Sequence, residues 1–226
     1  MTRAFFITGT DTGIGKTVAA CALLRAFAAR GLRAVGMKPV AAGCERTTDG
    51  WRNEDALALI AAGTFQPDYA LVNPVALPEP TTPELAATCA GADITLEPIV
   101  SAFRMLASQA DVIVIEGAGG WLAPWSATLD QSALVKALDL SVILVCGLKL
   151  GCISHARLSA RTIPDDGCRL AGWIGNRIDP NWHLPDANTE LLASHLPAPC
   201  LGMLPILAPG DAPPVDALTL DVLMRS

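Results

Sequence analysis

Gly9-Thr10-Asp11-Thr12-Gly13-Ile14-Gly15-Lys16-Thr17 is the stretch on which the fold turns. Ahead of it, Ala4–Thr8 is a short apolar run of strand length. Behind it, Lys16–Arg30 repeats apolar residues at helical spacing (Val18, Ala22, Leu23, Ala26, Phe27), and Gly31 stops the helix. A glycine-rich turn between strand and helix can cradle phosphates. Backbone N–H groups and the helix N-terminus face the anion, the lysine reaches its outer oxygens, and the threonine hydroxyl serves a magnesium ion. The match to G-x-x-x-x-G-K-[ST] is not strict: Thr10 stands where glycine belongs, and Gly9 lies one residue early. A G-K-T tripeptide alone is weak; its place between strand and helix carries the reading.

Outward from this turn the chain keeps one rhythm, a short β-rich run followed by a helical pattern. Further strands are expected at Ala34–Lys38, Val112–Glu116, Val142–Cys146, Leu170–Asn176 and Cys200–Leu204. Several are apolar at consecutive positions, as strands covered on both faces should be. Helices are expected at Asn53–Ala62, Leu96–Ser108, Gln131–Leu138, Ser154–Thr162 and Asn188–Leu196. The alternation predicts an α/β fold of P-loop NTPase type, a mostly parallel sheet flanked by helices on both faces. Pro74–Pro83 reads as a long connection edging a cleft. No repeat or low-complexity linker splits residues 1–226, so one domain is expected.

Composition narrows the function classes. The chain is 51% hydrophobic and 17% charged, a folding composition, and its net charge of -6 offers no basic surface for nucleic acid. Val112–Ile115 and Val142–Cys146 are strand-length, far short of a bilayer, so no membrane span is expected. The opening residues run straight from Phe5-Phe6-Ile7 into Gly9, which reads as a first strand and not a signal peptide. Seven scattered cysteines without a C-x-x-C pair read as reduced thiols in a cytoplasm. The three histidines do not sit near paired cysteines, which speaks against zinc.

Four further positions bear on chemistry. Glu116 ends the run Val112-Ile113-Val114-Ile115 and can be the strand-end carboxylate that a P-loop pairs with its metal. Gly117-Ala118-Gly119-Gly120 after it reads as an exposed loop, either approaching an anion or simply turning. Lys38 closes the second strand, where parallel sheets bind ligands, and could neutralise charge growing in phosphoryl transfer. Asp49, Glu54 and Asp55 all lie near a helix start, and the residues alone do not choose a magnesium ligand among them. Asn176 ends the fifth strand and suits either a purine edge or a cap.

Taken together these pieces resemble the dethiobiotin synthetase family. The likeness covers nearly the whole chain: Thr8-Gly9-Thr10-Asp11-Thr12 with Gly15-Lys16-Thr17, Lys38-Pro39-Val40-Ala41, Arg52-Asn53 with Asp55-Ala56-Leu57, and Val72-Asn73-Pro74 with Glu79-Pro80-Thr81. It continues through Glu116-Gly117-Ala118-Gly119-Gly120-Trp121, Lys149-Leu150-Gly151-Cys152-Ile153, Ala171-Gly172-Trp173 with Asn176, and Leu201-Gly202 with Pro205. The resemblance implies that ATP, carbon dioxide and 7,8-diaminononanoate give dethiobiotin, ADP and phosphate, through a carbamate and a carbamic–phosphoric anhydride. It implies magnesium on Thr17, Asp55 and Glu116, with Lys16 and Lys38 as the catalytic cations. Nucleotide contacts are implied at Gly13, Ile14, Gly15, Val18, Gly117, Ala118, Gly119, Asn176, Arg177 and the run Pro205, Ile206, Leu207. Substrate contacts are implied at Thr12, Ala42 and Gly119, and at Gly151, Cys152, Ile153 and Ser154 of the opposite subunit in a homodimer.

This sequence departs from the family pattern at three places. Gly13 stands where the family often has Glu, Ala42 where a substrate-contacting Ser is usual, and Ser154 where Asn is usual. Two other classes fit the residues less well. A positioning or partitioning ATPase would resemble a pattern with a lysine five residues before the P-loop lysine, and Asp11 occupies that place. A cobyrinate-type amidotransferase needs a glutaminase domain for which 226 residues leave no room.

Overall fold

The computed structural model describes residues 2–208 and 211–224. Six strands form one parallel sheet: β1 (Arg3–Gly9), β2 (Ala34–Met37), β3 (Val112–Gly120), β4 (Ser141–Leu148), β5 (Arg169–Arg177) and β6 (Cys200–Leu204). Their spatial order is β6-β5-β4-β1-β3-β2, with every pair parallel. β1 therefore sits centrally and delivers the P-loop to the middle of the carboxyl edge, where such sheets bind ligands.

Among the described residues, seven helices of seven residues or more cover the sheet: α1 (Lys16–Ala29), α2 (Glu54–Ala62), α3 (Pro83–Ala90), α4 (Leu96–Ala107), α5 (Gln131–Ala137), α6 (Cys152–Asp165) and α7 (Pro185–His195). Successive side chains of a strand point to opposite faces, and β1 shows the consequence. Phe5 and Ile7 pack with α1, where Phe5 stacks on Phe27 at 5.8 Å. Phe6 points the other way, edge-on to Trp121 at 6.3 Å, into a cluster built with α3, α4 and α5. A third cluster joins β4 and β5 to α6 and α7 through Leu144, Trp173, Ala156 and Leu192. α1 is buried nearly all round, and each large side chain such as Leu23 or Phe27 stabilises by about 1.5–3 kcal/mol.

The expected class, a parallel sheet with helices on both faces, is the observed one. Several boundaries differ. Gly117–Gly120, read as an exposed loop, continues β3, and Gly120 pairs with Gly9 of β1. Glycine is required at 117 because a Cβ there would collide with Gln131 Oε1 and the Phe6 ring. β4 and β5 run past their apolar cores to Leu148 and Arg177, and Lys38 lies just beyond β2. α6 starts at Cys152, two residues before the expected helix, so Cys152, Ile153 and Ser154 form its first turn. Within the expected connection Pro74–Pro83, Val75–Ala76 pairs with Val40–Ala41, and α3 begins at Pro83 itself.

Candidate active site

Gly15 caps α1 in the left-handed region, at φ 84°, without a side-chain cap. The first N–H groups of α1 thus point freely into a cavity of about 700 Å³ at the carboxyl edge of the sheet. Thr12, Gly13, Gly15, Lys16, Thr17 and Val18 line it from the P-loop. Lys38, Ala42, Asp55, Glu116, Ala118 and Gly119 line it from neighbouring elements. Ile14 is buried instead, with a Cβ at Gly9 or Gly147 close against it. Asn176 lies behind the loop, its Nδ2 donating to the Ile14 carbonyl at 2.8 Å. Any side chain at Gly15 would collide with that amide, so Asn176 and Gly15 together set the loop's shape.

Four side chains from four elements meet at the cavity floor. Lys38 Nζ donates to Glu116 Oε1 at 2.7 Å and to Asp55 Oδ2 at 2.8 Å. Thr17 Oγ1 lies 2.8 Å from Asp55 Oδ1 and 3.0 Å from Glu116 Oε1, and its single proton can serve either. Lys38 and Glu116 are almost wholly enclosed, while Asp55 is about a third exposed. Burial alone would lower Lys38, but the Glu116 and Asp55 carboxylates outweigh it and hold the ammonium above its ordinary value. Burial would raise Asp55, but Lys38 more than offsets that and draws it below the usual carboxylate range. Enclosure pushes Glu116 up, with Lys38 pulling against the shift. Lys16 donates to the Asp11 carbonyl at 2.9 Å. Burial first, then Lys38 nearby, brings its pKa down to about 8.

The seat of Lys38 is held by a chain of hydrogen bonds that the sequence reading gave no role. Asn53 caps α2 through its side chain, accepting from Ala56 N, while its backbone N–H donates to Tyr69 Oη at 2.8 Å. Tyr69 Oη donates to Asn73 Oδ1 at 3.0 Å, and Asn73 Nδ2 donates to the Lys38 carbonyl at 2.8 Å. This chain joins the start of α2, which carries Asp55, to the end of β2, which carries Lys38. Val72-Asn73-Pro74 was visible as a matching piece; its purpose was not, because its partners lie at residues 38, 53 and 69. Gln131, wholly buried at the start of α5, donates to the carbonyls of Gly120 and Trp121 and bends the chain after the glycine run.

The oxygen set fits a hard divalent cation. Two carboxylates and a hydroxyl face one point, and Glu116 Oε2 is buried with no hydrogen-bond partner among the described residues, an acceptor left for a cation or donor. Other expected positions lie apart from this floor. Gly151 begins α6 at φ 93°, and Ile153 and Ser154 border a separate groove with Arg157, Leu158 and Arg161. Cys152 is buried within the β4–α6 packing. Arg177 pairs with Asp186 at 3.0 Å, and Pro205, Ile206 and Leu207 follow the end of β6.

Comparison with known proteins fits this arrangement. A family model described as an AAA domain matches residues 3–213. The protein named ATP-dependent dethiobiotin synthetase BioD from Xanthomonas euvesicatoria pv. vesicatoria (strain 85-10) is 58% identical over 209 residues, 92% of this chain and 93% of its own length. The chain belongs to the dethiobiotin synthetase family. A protein of the same name from Xylella fastidiosa (strain 9a5c) is 55% identical over 210 residues, 93% of each chain. Among solved structures, a ParA family ATPase from Chlorobium tepidum TLS shares the fold at TM-score 0.57 and 15% identity, covering 92% of this chain and 86% of its own. The Aquifex aeolicus MinD cell division protein does so at 0.53 and 14%, covering 90% and 82%.

Proposed function

We propose that this chain is an ATP-dependent dethiobiotin synthetase, which joins carbon dioxide to 7,8-diaminononanoate and closes the ureido ring with release of ADP and phosphate. The observation that carries the reading is the convergence of Lys16, Lys38, Thr17, Asp55 and Glu116 at the floor of one cavity beneath an open helix N-terminus. An amine of the substrate takes up carbon dioxide as a carbamate, losing a proton. A carbamate oxygen attacks the γ-phosphorus and ADP leaves. The neighbouring amine then attacks the carbamoyl carbon, losing a proton as the C–O bond to phosphate breaks and phosphate leaves. Lys38 stabilises the carbamate and Lys16 the phosphate oxygens, while the α1 N–H groups hold the phosphate chain. Thr17, Asp55 and Glu116 would hold a magnesium ion, which neutralises phosphate charge when bound. Asn176, with Nδ2 engaged by Ile14, keeps its Oδ1 for the base, and Arg177 with Pro205–Leu207 borders the base side.

The direct test is reaction of the protein with ATP, bicarbonate and the diamine, with dethiobiotin sought by mass spectrometry. ATP consumed without a ureido product overturns the reading. A nucleotide-switched ATPase would instead be stimulated by DNA or membranes.

The lowered Lys16 gives a pH prediction. Phosphate binding favours the charged lysine, so a bound nucleotide raises its pKa. ADP affinity is then level below about 8 and falls as pH rises, by up to about tenfold per unit, because the free protein must take up a proton to bind. Calorimetry in buffers of different ionisation enthalpy reads this uptake directly. Affinity that stays level through alkaline pH removes Lys16 from the phosphate site.

At the substrate side, Ala42 borders the cavity beside Pro80 and Thr81. Ala42→Ser adds a hydroxyl there and tightens the apparent diamine constant by a hydrogen bond worth about 0.5–1.5 kcal/mol. A weaker constant means the pocket is shaped around the methyl group.

We read residues 1–226 as one domain, since all three hydrophobic clusters rest on the single six-stranded sheet. We place it in the cytoplasm, on the free thiols of its scattered cysteines. The partners are small molecules and a second copy, with Gly151–Ser154 of one subunit receiving the substrate carboxylate of the other. Mixing Lys16→Ala chains with Ser154→Glu chains, each inactive alone, then restores up to about half of wild-type activity, because one site of each mixed dimer has two intact halves. Mixed dimers that form and stay dead place the carboxylate within one subunit.

A further inference from the structure

Lys38 stands in an unusual relation to the oxygens around it. Its Nζ lies 2.7 Å from Glu116 Oε1 and 2.8 Å from Asp55 Oδ2, with Gly117 O at 3.4 Å. The same two carboxylates approach Thr17 Oγ1 at 2.8 and 3.0 Å. An ammonium at that distance screens both acids, and a divalent cation drawn to the same oxygens meets its positive charge there. Two cations cannot share so enclosed a set without strong repulsion, since at these separations charges interact by several kcal/mol even when partly screened. Lys38 is rooted by its backbone to Asn73 and Val72, so only its side chain is free to leave.

We infer that Lys38 and a divalent cation compete for the Asp55 and Glu116 carboxylates, so that cation binding releases the Lys38 ammonium to a substrate anion in the same cavity. The inference rests on the proposed cation site of Thr17, Asp55 and Glu116, and adds a coupling to it. The cation and the carbamate or phosphate anion then bind cooperatively, because each is favoured by the same movement of one side chain. A cation arriving alone has to displace an ammonium that has nowhere comparable to go. An anion arriving alone competes with two carboxylates for Lys38. Together they exchange partners, and both charges are matched.

The test is binding of Mn2+ to nucleotide-free protein, read by the paramagnetic resonance signal of the free ion. Lys38→Met should bind Mn2+ about tenfold or more tightly than wild type, having lost the competing charge. Lys38→Arg keeps that charge and should bind as weakly as wild type. Lys38→Met binding no more tightly than wild type overturns the competition. Glu116→Gln separates the two ideas. If it weakens Mn2+ in both backgrounds while Lys38→Met changes nothing, the cation site stands and the competition falls. If Glu116→Gln has no effect in either background, the site reading itself fails. Should Lys38→Met not fold, the wild-type protein still answers. Acetylation of Lys38, followed by peptide mass spectrometry against the exposed Lys136, should rise when Mg2+ is added, and an unchanged or lowered yield refutes the release.

Discussion

Lys16→Ala lowers turnover by about 10²- to 10³-fold or more, while the protein unfolds at the temperature of the wild type. The loss is large because the lysine is fixed before the reaction begins: it is 7% exposed and tied to the Asp11 carbonyl at 2.9 Å. A donor placed in advance in a poorly solvated cavity costs no reorganisation when charge builds on the transferring phosphoryl group. Stability is spared because that ammonium is held in the protein against a desolvation penalty, so its removal takes away an unfavourable burial along with a hydrogen bond. Steady-state assays beside a thermal melt check both halves. A variant with near wild-type turnover detaches this lysine from phosphate chemistry.

Glu116→Gln raises the magnesium concentration needed for half activity by about tenfold or more. The amide keeps the shape of the side chain but loses the negative charge that attracts a hard cation, and it brings an NH2 group toward the Thr17 hydroxyl and the Lys38 ammonium that contact Glu116 Oε1. Asp49→Asn, on the turn between Glu45–Thr47 and Gly50–Arg52, makes no contact with the cluster and serves as the control. A magnesium titration of initial rates reads the midpoint. An unchanged midpoint in Glu116→Gln means that the carboxylate is not a ligand.

What the sequence disclosed of the fold follows the size of the apolar signal. The strand centres are most legible where they are wholly buried apolar runs, as at Val112–Ile115 and Val142–Cys146; in β6 only Leu201 and Leu204 are buried. The carboxyl ends of β3, β4 and β5 are not, because Gly120, Gly147 and Arg177, which pair with the neighbouring strand, read as loop; β6 ends at Leu204 as expected. α3 escaped notice because its buried face is only Pro83, Ala86 and Ala87, too small to stand out after a proline-rich run. For the site, Lys16, Thr17, Lys38 and Glu116 are legible as strand-end or helix-start residues. The choice among Asp49, Glu54 and Asp55 was not legible in spacing, and the resemblance pointed to Asp55. In the fold Asp55 lies 2.8 Å from both Lys38 Nζ and Thr17 Oγ1, the geometry on which its proposed ligand role rests. Asn176 shows the converse: base contact and cap were both open readings, and neither foresees that its Nδ2 holds a P-loop carbonyl 162 residues earlier in the chain. Contacts of that separation leave no periodic trace.

The strand order has a consequence for how the protein is made. β1 pairs only with β3 and β4, and β2 only with β3. No ladder of the main sheet can form until synthesis has passed Val112, the first residue of β3. At about 5–20 residues per second, a ribosome spends several seconds extruding Phe5-Phe6-Ile7 and Val35 with both strand edges bare. The P-loop gains its hydrogen bond from Asn176 to the Ile14 carbonyl later still. A chain halted before Val112 carries β1 and β2 but no ladder of the main sheet.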